Sequence, residues 1–171
     1  MKLIRDFVLA EDSSHLQCTQ TIWNVSEEPV HWCHWSRTFA KGGGIVVIPV
    51  GEQPRRLPRG YVMYPARHLI NLQPEDPKIR RRGGFLEILG PPAHPKLGMD
   101  ALGWMAYQLP DDVVFVKVYD TPTDRAYGEV AAFNTSVWYP DQGRIPTVEL
   151  EPIGPANEIL PDQSASFTEH W

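Results

Sequence analysis

The chain has 171 residues, and this length is sufficient for one domain with a buried core. Its formal net charge of -5 at pH 7 argues against a protein that binds nucleic acid by electrostatic attraction. No apolar run reaches the about 18–20 residues that are needed to cross a bilayer. We therefore expect neither a nucleic acid nor a membrane as partner.

The N-terminus and the cysteines indicate the compartment. Arg5 and Asp6 interrupt the first residues, so the apolar stretch of a signal peptide is missing. Cys18 and Cys33 do not make a disulfide framework by their number or spacing, although one disulfide between them stays open. A cytoplasmic protein is therefore expected.

Turn-forming residues are spread along nearly the whole chain, with 17 prolines and 13 glycines. Because proline and glycine interrupt helices, this distribution favours many short strands joined by turns. Strands are predicted over residues 2–10, 15–25, 30–39, 45–50, 85–89, 102–108, 113–119, 128–139, 147–151 and 165–171, and within 61–72. Loops or turns are predicted over residues 51–60, 73–84, 90–95 and 140–146, with a short helical turn within the second of these.

The order of these elements predicts the fold class. Residues 26–29 are a turn signal between the strands at 15–25 and 30–39, so we expect these two strands to pair as a hairpin. Strands follow one another without long helices between them, which is typical of antiparallel sheets. The sequence therefore predicts an all-β fold, an antiparallel β-sandwich in which residues 1–171 form a single domain.

An acidic pair lies inside the apolar stretch 147–155. Side chains of a strand alternate between its two faces, so Glu149 and Glu151 point to one side while Val148 and Leu150 point to the other. Two like charges on one face lower stability unless water, a cation or a ligand compensates them. The pair therefore fits the bottom of a polar cleft, or equally an edge strand with one face in water.

The segment 31–37 carries the densest set of reactive side chains. In a regular strand His31 and Trp35 share one face, and His34 lies on the other. A metal site built from His31 and Cys33 lacks further ligands at suitable spacing, so no metal is expected. A histidine beside tryptophans fits a sugar site, since indole faces stack on pyranose C–H groups and imidazole transfers protons near neutral pH. A packed, hydrogen-bonded histidine is the alternative.

Lys117 is the charged residue inside the predicted strand 113–119. Its ammonium group either faces the same groove as the acidic pair or extends to solvent at a sheet edge. The sequence alone leaves both positions open.

Several segments together resemble one protein superfamily. They are Asn24 with the following Glu-Pro-Val, residues 35–49, residues 103–107, residues 115–117, residues 149–155 and the tail 160–171. In order and spacing they resemble the galactose-mutarotase-like (aldose 1-epimerase-like) superfamily, and more narrowly an uncharacterised bacterial domain family within it. The chain resembles a shortened, mainly C-terminal part of that fold, which is a β-supersandwich.

The resemblance implies a carbohydrate-active protein, a sugar epimerase or mutarotase that needs no cofactor. It implies a glutamate as general base, with Glu151 first and Glu149 second, and a histidine as general acid, with His34 first and His31 in reserve. Proton transfers of this kind contribute on the order of 10²–10⁴-fold each. The residues expected to bind the sugar are His31, Trp35, Arg37, Lys117 and Trp104.

Two departures keep other functions open. Members of the superfamily are longer, and the narrower family carries a glutamate near position 136, where this chain has Ser136. A non-catalytic carbohydrate-binding module is therefore the alternative, as is a degenerate domain that forms a homodimer through exposed sheet edges.

Overall fold

The computed structural model describes residues 1–140 and 146–171, and every regular element in them is a β-strand. The strands are β1 (Lys2–Leu9), β2 (Leu16–Trp23), β3 (Val30–Trp32), β4 (Thr38–Lys41), β5 (Ile45–Pro49), β6 (Tyr61–Ala66), β7 (Leu69–Asn71), β8 (Ile79–Arg82), β9 (Phe85–Ile88), β10 (Lys96–Met99), β11 (Trp104–Gln108), β12 (Val114–Tyr119), β13 (Thr135–Trp138), β14 (Thr147–Pro152), β15 (Asn157–Ile159) and β16 (Ser164–His170). Within these ranges no helix is long and apolar enough to traverse a bilayer.

The strands form two main sheets. One has eight strands in the order β1-β2-β16-β12-β11-β5-β9-β8, and the other has six in the order β4-β14-β13-β10-β6-β7. A small sheet pairs β15 with β3, and the neighbouring strands of all three sheets run antiparallel. The predicted all-β antiparallel sandwich is confirmed.

Alternating apolar side chains hold the two main sheets together. Val46 and Ile48 of β5 face Leu97 and Met99 of β10 across a shared core, which Tyr107 of β11 also enters. These side chains are fully buried. Burying a large apolar side chain contributes about 1.5–3 kcal/mol, so this layer is the main source of stability.

The six-stranded sheet has a second face, turned away from this core. On β14, Val148 and Leu150 enter the core, so Glu149 and Glu151 point to the outer face. Register then places Trp138 of β13 directly beside Glu149. The outer face of this sheet carries the candidate site.

The predicted hairpin of residues 15–25 and 30–39 is wrong. Strand β2 pairs with β1 and β16 instead, because the turn over residues 11–14 closes a hairpin of eight residue pairs one element earlier. Residues 30–39 do not form one strand either: β3 pairs with β15, whereas β4 joins β14 in the six-stranded sheet. Residues 33–37 between them form no strand, and Trp35 makes an isolated bridge to Ile153.

Other boundaries differ as well. The predicted loop 73–84 contains β8 rather than a helical turn, the strands β10 and β15 were not predicted, and only the last residues of 128–139 are a strand. The predicted turn at 140–146 falls largely on residues 141–145, which lie outside the described residues. Cys18 and Cys33 are free thiols.

Candidate functional site

Four charged side chains meet on the outer face of the six-stranded sheet. Glu149 and Glu151 come from β14, Lys96 comes from β10, and Arg37 follows the small sheet in the irregular segment 33–37. We call these four residues the charge cluster. Its members come from parts of the chain that lie far apart in sequence. They meet because β10 and β14 lie on either side of β13 in the six-stranded sheet.

Glu151 is the most tightly held member of the charge cluster. Its side chain is 0% exposed, and its Oε2 accepts hydrogen bonds from Trp35 Nε1 at 2.6 Å and from Lys96 Nζ at 2.5 Å. Its Oε1 has no hydrogen-bond partner among residues 1–140 and 146–171. Since a buried polar atom without a partner costs about 1–3 kcal/mol, this carboxylate is only half satisfied.

Glu149 is buried next to Glu151 and holds a proton more readily than an ordinary glutamate. Burial raises the pKa of Glu149 to about 7, and the hydrogen bond and charge of Glu151 act in the same direction, against Arg37 and Lys96. Arg37 Nε is 3.6 Å from Glu149 Oε2, which has no hydrogen-bond partner in the described part of the chain. Glu149 therefore still holds a proton near neutral pH, beside the carboxylate of Glu151.

A cleft of about 660 Å³ opens directly above the charge cluster. Its lining consists of Trp35, Arg37, Tyr64, Pro65, Ala66, Arg67, Pro95, Lys96, Glu129, Val130 and Trp138. The side chains of Lys96 and Arg37 are 23% and 55% exposed, whereas those of Glu151 and Glu149 are 0% and 2% exposed. A ligand in the cleft would therefore meet the cations and the indoles first, with the carboxylates beneath them.

The two indoles of the cleft enclose the lysine. Lys96 Nζ lies 5.1 Å from the centre of the Trp35 ring and 5.8 Å from that of Trp138. Arg37 lies 5.9 Å from the same Trp138 ring. Such cation–π contacts contribute about 0.5–2 kcal/mol each, and together with Glu151 they fix the ammonium group in the floor.

Glu129 forms part of one wall of the cleft, and its carboxylate accepts hydrogen bonds from the backbone of its own loop. Glu129 Oε2 accepts hydrogen bonds from the backbone amides of Ala131 at 2.7 Å and Phe133 at 3.3 Å, and Tyr64 donates its hydroxyl to Oε1. Burial raises the pKa of Tyr64 above its ordinary value, with Glu129 acting in the same direction. A Cβ at Gly98 would lie 2.9 Å from Phe133 and from the Tyr64 hydroxyl, so only glycine fits under this wall.

The structure does not bring His34 together with the acidic pair. Trp35 turns toward Glu151, whereas the His34 ring stacks on Phe167 at 6.4 Å on the other side of the segment. The ring is 8% exposed, its Nε2 lies 3.3 Å from the Ala165 carbonyl oxygen, and burial lowers its pKa. His34 is therefore a packed histidine, in the position that the sequence left as the alternative.

Lys117 lies between the two sheets and not in the cleft. It is fully buried, and its Nζ is 2.7 Å from Glu169 Oε2 and 2.8 Å from Thr38 Oγ1. Burial lowers the pKa of Lys117, although Glu169 opposes that shift. Neither a groove nor a sheet edge receives this ammonium group.

The remaining predicted residues are also apart from the cleft. Trp104 packs against Phe85 at 5.9 Å on the outer face of the eight-stranded sheet. His31 lies on β3, exposed, 3.7 Å from Glu158 of β15. Of the eight predicted site residues, the structure brings together four: Trp35, Arg37, Glu149 and Glu151.

Sequence reasoning missed Lys96, Trp138, Tyr64 and Glu129. Trp138 alternates with Val137 at the end of a predicted strand, and this signal could have placed it on the polar face. Lys96 gave no local signal, since its strand follows a proline-rich connector. Among the residues described, no group of three or more histidine, cysteine or acidic side chains could hold a metal ion.

No protein-family model matches the chain, and no curated protein sequence matches it. Solved structures do resemble its fold. The Slr1438 protein from Synechocystis sp. PCC 6803 matches with a TM-score of 0.58 and 13% identity over 98% of this chain and 53% of that one. A TPR-domain containing protein from Parabacteroides distasonis ATCC 8503 matches with a TM-score of 0.52 and 11% identity, over 99% of this chain and 29% of that one.

This chain thus spans about half the length of the first neighbour and under a third of the second. At such low identities the likeness shows the fold alone. The chain therefore shares its antiparallel β-sandwich with parts of longer proteins.

Proposed function

We propose that this protein binds carbohydrate in the cleft above the charge cluster. The observation that carries the proposal is the pair of indoles, Trp35 and Trp138, on either side of an ammonium group that one buried carboxylate fixes. Indole faces pack against the C–H face of a pyranose, and fixed charged donors bind its hydroxyl groups. A cleft of about 660 Å³ lies in the usual range for small-ligand sites.

The sequence resemblance to galactose-mutarotase-like proteins supports the same ligand class. It rests on motifs in which residues 149–155 are the most specific, and these residues form the strand under the cleft together with the turn after it. The resemblance and the cleft are separate arguments, because the first uses the sequence and the second uses side-chain geometry.

A cofactor-free sugar isomerase is the second candidate, and the raised pKa of Glu149 favours it. A carboxyl pair that exchanges a proton near pH 7 suits a base that takes the proton of an anomeric hydroxyl while an acid protonates the ring oxygen as its bond to C1 breaks. With His34 turned away, Lys96 is the nearest acid on the cleft side. Glu151 would have to be uncovered by movement of Lys96 and Trp35, so binding without turnover has the stronger support.

One experiment separates the two candidates. Titration of the protein with a panel of sugars, followed by tryptophan fluorescence, measures binding, and NMR saturation transfer between anomers measures turnover. Binding is expected to shift the emission, and a Trp138→Ala variant is expected to lose at least ten-fold in affinity. Binding without saturation transfer supports a binding protein. No binding of any sugar contradicts both candidates.

We also propose a homodimer formed through an exposed sheet edge. In the described ranges β1 is one of the two terminal strands of the eight-stranded sheet, and it pairs only with β2. Unpaired edges attract a further strand, and a second copy could supply it. The net charge of -5 supports the absence of a nucleic-acid partner. Sedimentation of the purified chain tests the dimer.

A further inference from the structure

The cleft surface carries more positive than negative groups. Arg37, Lys96 and Arg67 line it as cations, and Glu129 is the carboxylate of its wall. Arg67 is exposed and forms no ion pair or hydrogen bond with any residue in 1–140 or 146–171. The three cations therefore reach the ligand space from the segment 33–37, from β10 and from the turn between β6 and β7.

The acidic groups near the cleft are already engaged. Both oxygens of Glu129 are occupied, by the Tyr64 hydroxyl and by two backbone amides of its own loop. Glu149 and Glu151 lie under the floor, 3.6 Å from Arg37 and 2.5 Å from Lys96, so these two cations already have carboxylate partners and Arg67 has none among the described residues. A positive charge thus remains for a ligand to satisfy.

The cleft also selects the shape of that ligand. Guanidinium groups bind a carboxylate through two parallel hydrogen bonds; Arg67 and Arg37 both line the cleft, and Arg37 lies 5.9 Å from the indole of Trp138. An indole face together with a planar anion site fits a sugar ring that carries a carboxylate.

We propose that the cleft takes an acidic sugar, a pyranose with a carboxylate group, and that Arg67 with Arg37 and Lys96 binds that carboxylate. This inference rests on the proposed carbohydrate binding and narrows it to uronic acids and their oligomers. Neutral sugars would leave the surplus cation unpaired in the cleft and therefore bind more weakly.

The test is calorimetric titration of the full chain with glucuronate and galacturonate, with glucose and galactose as neutral parents, and with the uncharged methyl esters of both uronates. Uronates are expected to bind at least ten-fold more tightly than the parents and the esters. The difference is expected to shrink at high salt, since salt screens exposed charges.

A matched pair of variants locates the effect. Arg67→Gln is expected to weaken uronate binding three- to ten-fold and to weaken neutral-sugar binding by a clearly smaller factor. Arg82→Gln changes an arginine on β8 that is also exposed but lies outside the cleft, and it is expected to change neither. Both positions are on the surface, so both variants are expected to fold.

The outcomes are distinguishable. Equal affinity for uronates and neutral sugars overturns the acidic-sugar assignment and leaves the proposed function standing. Binding of hexose 6-phosphates but not of uronates overturns the carboxylate in favour of a phosphate. Failure of every sugar to bind overturns this inference together with the proposed function.

Discussion

Two clusters of buried charge lie on opposite sides of β14 and differ in how completely they are satisfied. Between the sheets, Lys117 and Glu169 are both fully buried, 2.7 Å apart, and Glu169 also accepts hydrogen bonds from Gln20 at 2.7 Å and from Trp171 Nε1 at 3.0 Å. On the outer face, Glu149 Oε2 and Glu151 Oε1 receive no hydrogen bond from any other side chain or amide of residues 1–140 and 146–171, so only the proton held by Glu149 can join them.

This difference distinguishes an ion pair with a structural role from a pair of carboxyl groups at a candidate functional site. A buried ion pair with all its hydrogen bonds formed holds two sheets in one arrangement and needs nothing further. The outer pair lies under an open cleft, and the pKa of Glu149 is raised there; perturbed carboxylates in clefts are characteristic of functional sites. The structural role of Lys117 follows from this distinction, whereas the role of Glu151 as a base stays a prediction.

Breaking the inner pair is expected to have the largest effect. Lys117→Met leaves the Glu169 carboxylate buried without its cation, and we expect the free energy of unfolding to fall by about 3–5 kcal/mol. The double variant Lys117→Met with Glu169→Leu is expected to recover more than half of that loss, because it removes the charge as well. Urea denaturation at pH 7 measures both, and a loss below about 1 kcal/mol in the single variant would show that the pair is not structural.

The outer pair is expected to make stability depend on pH. The folded-state pKa of Glu149 is raised from its ordinary 4.5 to about 7, so the folded chain binds this proton more tightly than the unfolded chain does. Stability therefore falls as the pH rises from 4.5 to about 7, by on the order of 3 kcal/mol, and this contribution is constant above that range. Glu149→Gln removes the titrating group and is expected to flatten this decline.

Denaturation midpoints of the wild type and of Glu149→Gln at pH 5 and pH 8 check this expectation. The difference in stability between the two proteins should move in favour of the variant at the higher pH. A constant difference would mean that the proton is not held at this carboxyl pair.

Filling the wall of the cleft is expected to have a moderate effect. Gly98→Ala places a Cβ 2.9 Å from Phe133 and from the Tyr64 hydroxyl, so we expect a loss of about 1–3 kcal/mol from overpacking and weaker sugar binding. Gly90→Ala is the matched control, since no atom lies within 4 Å of a Cβ at that position. Equal binding by both variants would place the ligand away from this wall.

An exposed ion pair is expected to have the smallest effect. His31 and Glu158 are 73% and 59% exposed, and pairs of this kind contribute about 0–1 kcal/mol. Glu158→Gln is therefore expected to leave the denaturation midpoint nearly unchanged and sugar binding unaffected. A loss of sugar binding in this variant would return His31 to the list of site residues.

The fold class was predictable because strands leave a local signal. The alternation in Val114–Tyr119 and Thr147–Pro152 gave both strands almost to the residue, and it correctly placed the two glutamates on one face. Pairing was less accessible, since strand partners are distant in sequence. The turn at residues 26–29 misled the prediction, because turn residues also occur where the chain changes sheets.

The site was only half predictable for the same reason. Lys96 reaches Glu151 across 55 residues of sequence, and nothing local to either residue announces the contact. Alternation along the segment placed His34 and Trp35 on opposite sides, and the structure agrees. The role as general acid, which the family resemblance implied, required His34 to lie on the same side as the acidic pair. Burial of Lys117 depended on Glu169, which the sequence did not connect with it.

The central claim is that a sugar binds over Trp35 and Trp138. The most direct test follows the indole N–H resonances of the six tryptophans in a nitrogen-15 spectrum while glucuronate is added. The signals of Trp35, which donates to Glu151, and of Trp138 are expected to shift, and those of Trp104 and Trp171 to stay in place. Shifts confined to Trp104, or no shift at all, would contradict the account.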